Sequence, residues 1–92
     1  MIVRISGEGQ FRLADSESER LNELENTVAT TVEGGREQDF QGAFDALLDY
    51  VRQAGEPVPD DELESSDVIL PPSDMTFAEA GREFTGEGLI PD

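Results

Sequence analysis

The sequence predicts an α+β domain: an N-terminal β-hairpin packed on an antiparallel helix pair, then a Pro-rich extended wrap and a short C-terminal helix. Three observations carry this expectation. Apolar and polar residues alternate through the first 13 positions. Two stretches of similar length then place apolar residues at helical spacing, separated by Gly34-Gly35. Pro57, Pro59, Pro71 and Pro72 then forbid regular helix through their neighbourhoods. A chain of 92 residues makes one domain.

Residues 1–13 read as the hairpin. Matching the apolar faces sets Ile5 opposite Phe11 and Val3 opposite Leu13, with Gly7-Glu8-Gly9 as a three-residue loop. Arg4 then falls opposite Arg12 on the outer face. Like charges directly opposite are mildly destabilising, so something anionic is expected over them. Two sources stay open: carboxylates on the chain's own helices, or an acidic partner segment for which the hairpin is a docking patch. The hairpin holds two arginines against one glutamate, and it is the only part of the chain that is not acidic.

Residues 15–33 read as the first helix. Ser16-x-x-Glu19 fits a capping box, and Leu21, Leu24, Val28 and Val32 form the stripe. Gly34-Gly35 ends it. The second helix, 36–54, carries the longest stripe: Phe40, Ala43, Phe44, Leu47, Leu48, Val51 and Ala54. Gly55 and Pro57 stop it. A short linker between such helices means an antiparallel hairpin whose seam is the core.

Residues 55–75 form the wrap. Positions 60–63 suit one helical turn, and Val68-Ile69-Leu70 is expected as an extended apolar anchor lying across the helices. Residues 76–84 read as a third helix, capped by Thr76-x-x-Glu79, with Phe77, Ala80 and Phe84 facing inward. Gly81 weakens it. Residues 85–92 are a tail, in which Leu89-Ile90 is a candidate third strand that would explain the outward Ile2.

Charge and composition exclude more than they assign. Asp and Glu number 22 and basic residues 6, all arginine, for a net charge of −16. One reading is adaptation to a salty cytoplasm, where screening relieves self-repulsion. The other is an acidic surface for a basic partner. Nucleic acid is not an expected partner, because phosphate binding needs clustered Lys and Arg. Histidine, cysteine, lysine and tryptophan are absent. That removes the Ser-His-Asp triad, thiolate nucleophiles, Schiff-base lysines and the usual zinc sites. No enzyme activity and no cofactor are expected. The acidic cluster Asp60, Asp61, Glu62, Glu64 and Asp67 lacks EF-hand spacing and reads as a solvated face, not a metal site. No apolar run approaches the ~20 residues of a membrane span, so the expected location is the cytoplasm.

Several separated motifs occur in order: MIVR at 1–4, GEG at 7–9, PDDEL at 59–63, SDVILPP at 66–72 and GLIP at 88–91. With these the whole chain resembles the PspA-associated protein family (PspAA), small prokaryotic proteins typically encoded beside phage-shock protein A, a membrane-remodelling coiled-coil protein. The lysine-free acidic composition points to a haloarchaeal member. The resemblance implies a non-enzymatic adaptor in the envelope-stress response, with a PspA-like protein as partner and contact with the inner face of the membrane only through that partner. It brings no catalytic residues. The candidate partner-binding residues are Arg4 and Arg12 of the hairpin and Asp60, Asp61, Glu62 and Asp67 of the wrap. The wrap motifs have a second reading, that they only hold the wrap in place. The alternative function is a stand-alone structural or regulatory protein, as a homodimer burying Ile2 and the outer sheet face.

Overall fold

The computed structural model describes residues 1–62 and 64–83. Strands β1 (Ile2–Ile5) and β2 (Gly9–Arg12) form the hairpin, and helices α1 (Ser18–Glu33) and α2 (Glu37–Ala54) form the antiparallel pair. Strands β3 (Glu56–Pro57) and β4 (Val68–Leu70) and helix α3 (Phe77–Glu83) complete the order. The sheet is mixed, with strand order β3-β2-β1-β4. β1 and β4 run parallel; the other pairs are antiparallel.

The hairpin register differs from the expected one by two positions. Ile2 faces Arg12, Arg4 faces Gln10 and Ile5 faces Gly9. The turn is therefore Ser6-Gly7-Glu8, closed by the Glu8 N–H on the Ile5 carbonyl (2.9 Å), with φ of 85° at Gly7 and 122° at Gly9. Both glycines accept the positive φ that this turn demands. A slip of two keeps every side chain on its face. Val3 and Ile5 still point at the helices, and Arg4 still points away. What changes is that Arg4 and Arg12 are no longer directly opposed.

The two helices end and begin as their sequence allows. Gly35 holds φ of 67°. Arg36 N–H donates to the Thr31 carbonyl (2.8 Å) and Gly35 N–H to that of Val32 (3.1 Å), the paired bonds of a Schellman closure. At its start α1 departs from expectation. Asp15–Glu17 form a 3-10 turn, α1 opens at Ser18, and no side chain caps it. The tight turn takes Ser16 out of capping position, so the Ser16–Glu19 box does not form. The corresponding box before α3 does form: Thr76 N–H donates to Glu79 Oε1 (3.0 Å), and Glu79 N–H donates back to Thr76 Oγ1 (3.2 Å).

The core lies between the sheet and the helices. Phe40, Phe44, Leu47, Leu48 and Val51 of α2 meet Leu21, Val28 and Val32 of α1 and Val3, Ile5, Leu13, Val68 and Leu70 from the sheet side. Phe40 stacks on Phe44 at 5.4 Å between ring centroids, and Phe77 of α3 meets Phe40 edge-on at 5.6 Å. Of the expected stripe, Ala43 and Leu24 are half-buried and Ala54 is exposed. At Gly55 the chain leaves α2 for the sheet, and a Cβ there would stand 2.7 Å from the Val51 carbonyl and 2.9 Å from Leu13. Only glycine fits that crossing.

The wrap does not lie across the helices. Val68–Leu70 instead joins the sheet beside β1, which sends Val68 and Leu70 into the core and Ile69 outward. Alternation in an extended chain imposes this once the segment pairs as a strand. The 3-10 turn Asp60–Glu62 matches the expected helical turn. Residues 58–62 and 64–67 lie over the outer sheet face between the β3 edge and the β4 edge, held by Gln10. The Gln10 amide bonds Ser66 Oγ (2.9 Å) and accepts from Glu64 N–H (3.0 Å), and the Gln10 carbonyl accepts from Val58 N–H (2.9 Å). Gln10 is only 5% exposed, and Ile2 and Val58 are buried on this same side. The expected inward Phe84 and the Leu89-Ile90 strand lie outside the described residues.

Candidate partner-binding surface

The outer sheet face separates the six candidate residues. Arg12 makes an ion pair with Glu64 of the wrap, not with a helix. That hydrogen bond, then the nearby charges of Glu64, Glu62 and Glu56, hold its guanidinium still more firmly protonated. Asp67 is also structural: its Oδ2 accepts the Ile2 N–H (2.8 Å), and its own N–H donates to the Ile2 carbonyl (2.8 Å). Asp61 and Glu62 are exposed on the 3-10 turn, which also contains Asp60. Arg4 stands apart. It is exposed, and among the described residues no carboxylate lies within ion-pair distance of it.

Arg4 sits in register with Ile69 of β4. Ile69 is 53% exposed, the one large hydrophobic so exposed among the described residues. The two side chains are neighbours on the outer face, at the edge of the sheet. Ile69 was not foreseen as a surface residue. The signal was present in the run Val68-Ile69-Leu70, because a paired strand must turn its middle residue away from its neighbours.

The opposite end of the hairpin is pinned. Arg52 of α2 donates Nε to Glu8 Oε1 (2.8 Å) and an Nη to Glu8 Oε2 (2.5 Å), and its other Nη to Asp49 (2.8 Å). This two-pronged bond lowers the Glu8 carboxyl below its usual range, because Arg52 bonds the ionised form. The glutamate of the GEG motif thus fastens the hairpin turn to α2. Tyr50 similarly donates to Glu17 in the turn before α1. Desolvation, then that bond, pushes its phenol up to about 12.

Glu25 is the buried charge of the helix pair. It is 7% exposed, Oε1 has no hydrogen-bond partner among the described residues, and burial pushes its carboxyl up to about 7. Of two shallow grooves, one runs along Met1, Arg12 and Glu56 and the other along Thr30, Arg36 and Asp39, where the Thr30 hydroxyl donates to the Asn26 carbonyl (2.8 Å). Among the described residues no three carboxylates converge where a metal ion would sit, and no helix is long and apolar enough to cross a membrane.

Comparison with known proteins gives one finding. The family model described as PspA-Associated protein matches residues 1–92. No curated protein and no solved structure matches.

Proposed function

The chain belongs to the PspA-associated protein family, and from that premise we propose that it is a non-enzymatic adaptor that binds a PspA-like membrane-remodelling protein. Its role is accessory, in the envelope-stress response, and it reaches the inner face of the membrane only through its partner. The observation that carries the reading is the match of the family over all 92 residues. The family's description names an association and no reaction, and the absence of His, Cys and Lys agrees with that. The exposed pair Arg4 and Ile69 is the contact surface. Arg12 and Asp67 serve the fold through Glu64 and Ile2. The acidity is salt adaptation of a haloarchaeal member, so binding is to be measured in molar salt.

The test is capture of partners from the native host in molar salt, with identification by mass spectrometry. Enrichment of a PspA-like protein is expected, and its loss with Arg4→Glu would assign the surface. Return of the bait alone removes the adaptor reading. Ile2 is 7% exposed within the single chain, so its burial gives no support to a homodimer built on it. Sedimentation as a monomer at tens of micromolar is the expected result.

A further inference from the structure

We infer that the outer edge of β4 accepts one added β-strand from a partner protein, and that this strand carries a carboxylate for Arg4. The inference deepens the adaptor reading and rests on it for the identity of the partner.

The two edges of the sheet are built differently. The β3 edge is two residues long, contains Pro57 with no N–H to offer, and sits among Glu56 and the Glu64–Arg12 pair. Proline and charge are devices that block an edge. The β4 edge has neither device within the strand. Ser6 N–H donates to the Leu70 carbonyl (3.0 Å), which turns the peptide groups of Leu70 toward β1. Successive residues of a strand alternate, so the N–H and C=O of Ile69 face away from β1. Among the described residues no strand lies beyond β4. Ile69 therefore offers a donor, an acceptor and a large exposed apolar side chain at one point.

Arg4 selects the occupant. An added strand would lie two strand spacings from β1, about 9–10 Å. An arginine passing over Ile69 reaches a glutamate or aspartate side chain on such a strand. Among the described residues no carboxylate is placed on Arg4. A second copy of the chain fits poorly. Antiparallel pairing of two β4 strands about Ile69 brings Asp67 opposite Pro71, which has no N–H, and the Asp67 carboxylate is already held by Ile2. Each copy also brings a charge of −16. The fitting occupant is an extended segment of another protein, alternating apolar and polar, with an acid on the face toward Arg4. Main-chain bonds then supply affinity, and the alternate side chains supply specificity.

The experiment pans a random-peptide display library against the immobilised full chain in 1 M KCl. The selected peptides and a purified PspA-like protein of the same host are then used as probes. Selected peptides should carry an acid and slow amide exchange at Ile69 at least tenfold. Ile69→Pro deletes the outward donor without touching the β1 ladder, and it should abolish binding with little change in Tm. Arg4→Glu should weaken binding at least tenfold, and Arg4→Lys should restore most of it. Should Ile69→Pro unfold the chain, the Arg4 pair and the exchange measurement decide alone. An unprotected Ile69 amide in the bound state overturns the inference, as do selection of no peptides or indifference to the charge at Arg4. So does self-association through β4 in sedimentation. The two readings separate cleanly. A PspA-like protein that binds without protecting Ile69 overturns strand addition and keeps the adaptor. Peptides that protect Ile69 while the PspA-like protein fails to bind do the reverse.

Discussion

The two faces of the sheet are closed by different physics. The helix side is dry and apolar: Val3, Ile5, Leu13 and Leu70 meet Phe44, Leu47 and Val51, all nearly or fully buried. The outer side is closed by a polar latch, in which one glutamine holds Val58, Glu64 and Ser66 through its side chain and its backbone. The first face supplies non-directional stabilisation in proportion to the area removed from water. The second supplies direction more than stability, and it stops short of Arg4 and Ile69. The lesson is that one side of the sheet makes the domain while the other decides what remains visible.

Substitutions can break that contrast, and the largest effect belongs to the dry side. Phe44→Ala should cost about 3–5 kcal/mol in denaturant unfolding, the usual range for emptying a fully buried aromatic site. Next comes the residue that violates the dry side. Glu25 has a folded pKa raised from 4.5 to about 7. Between those pH values the folded chain binds more protons than the unfolded chain, so stability falls as pH rises through that window and stays lower above it. Glu25→Gln should remove this slope. At pH 8 it should stabilise by on the order of 2–3 kcal/mol, and at pH 4 it should change little, as thermal unfolding at the two pH values would reveal. On the polar side Gln10→Ala should cost about 1–2 kcal/mol and leave the Glu64 N–H without its partner. Its sharper signature should be faster amide exchange confined to 58–67 while the helices stay protected. Thr76→Ala, which removes one half of the cap on α3, should cost about 1 kcal/mol. Arg4→Ala should fall within about 0.5 kcal/mol of the parent in the same unfolding assay. A large loss there would mean that Arg4 serves the fold after all.

Local pattern carried the helices. The stripe through Phe40, Phe44, Leu47, Leu48 and Val51 is a 3.6-residue repeat, and Gly34-Gly35 is a local stop, so both are written in adjacent residues. The hairpin was legible as to face but not register. Alternation has period two, and GEG contains two glycines able to take the turn, so a slip of two leaves the pattern intact. Of two look-alike capping boxes, the one at Thr76 forms and the one at Ser16 gives way to a 3-10 turn; the motif alone does not distinguish them. The partner of Arg12, the outward turn of Ile69 and the burial of Glu25 all depend on contacts between distant segments. Adjacent sequence places Ile69 out of phase with Val68 and Leu70 and puts Glu25 at helical spacing from Leu21 and Val28, but it does not encode the pairing and packing that fix them. The candidate surface was thus half visible: Arg4 was named from the hairpin, while Ile69 needed the sheet to be assembled.

The parallel pairing of β1 with β4 has a kinetic consequence. The residues it joins are 65 positions apart, at the strand entry marked by Ile2 and Asp67. Closing so long a loop is among the slower events in assembling a small domain, and it must wait for nearly the whole chain. The edge that displays Ile69 beside Arg4 does not exist on a partly made or partly opened chain. A partner that read this edge would therefore sample only chains in which β4 has already paired with β1.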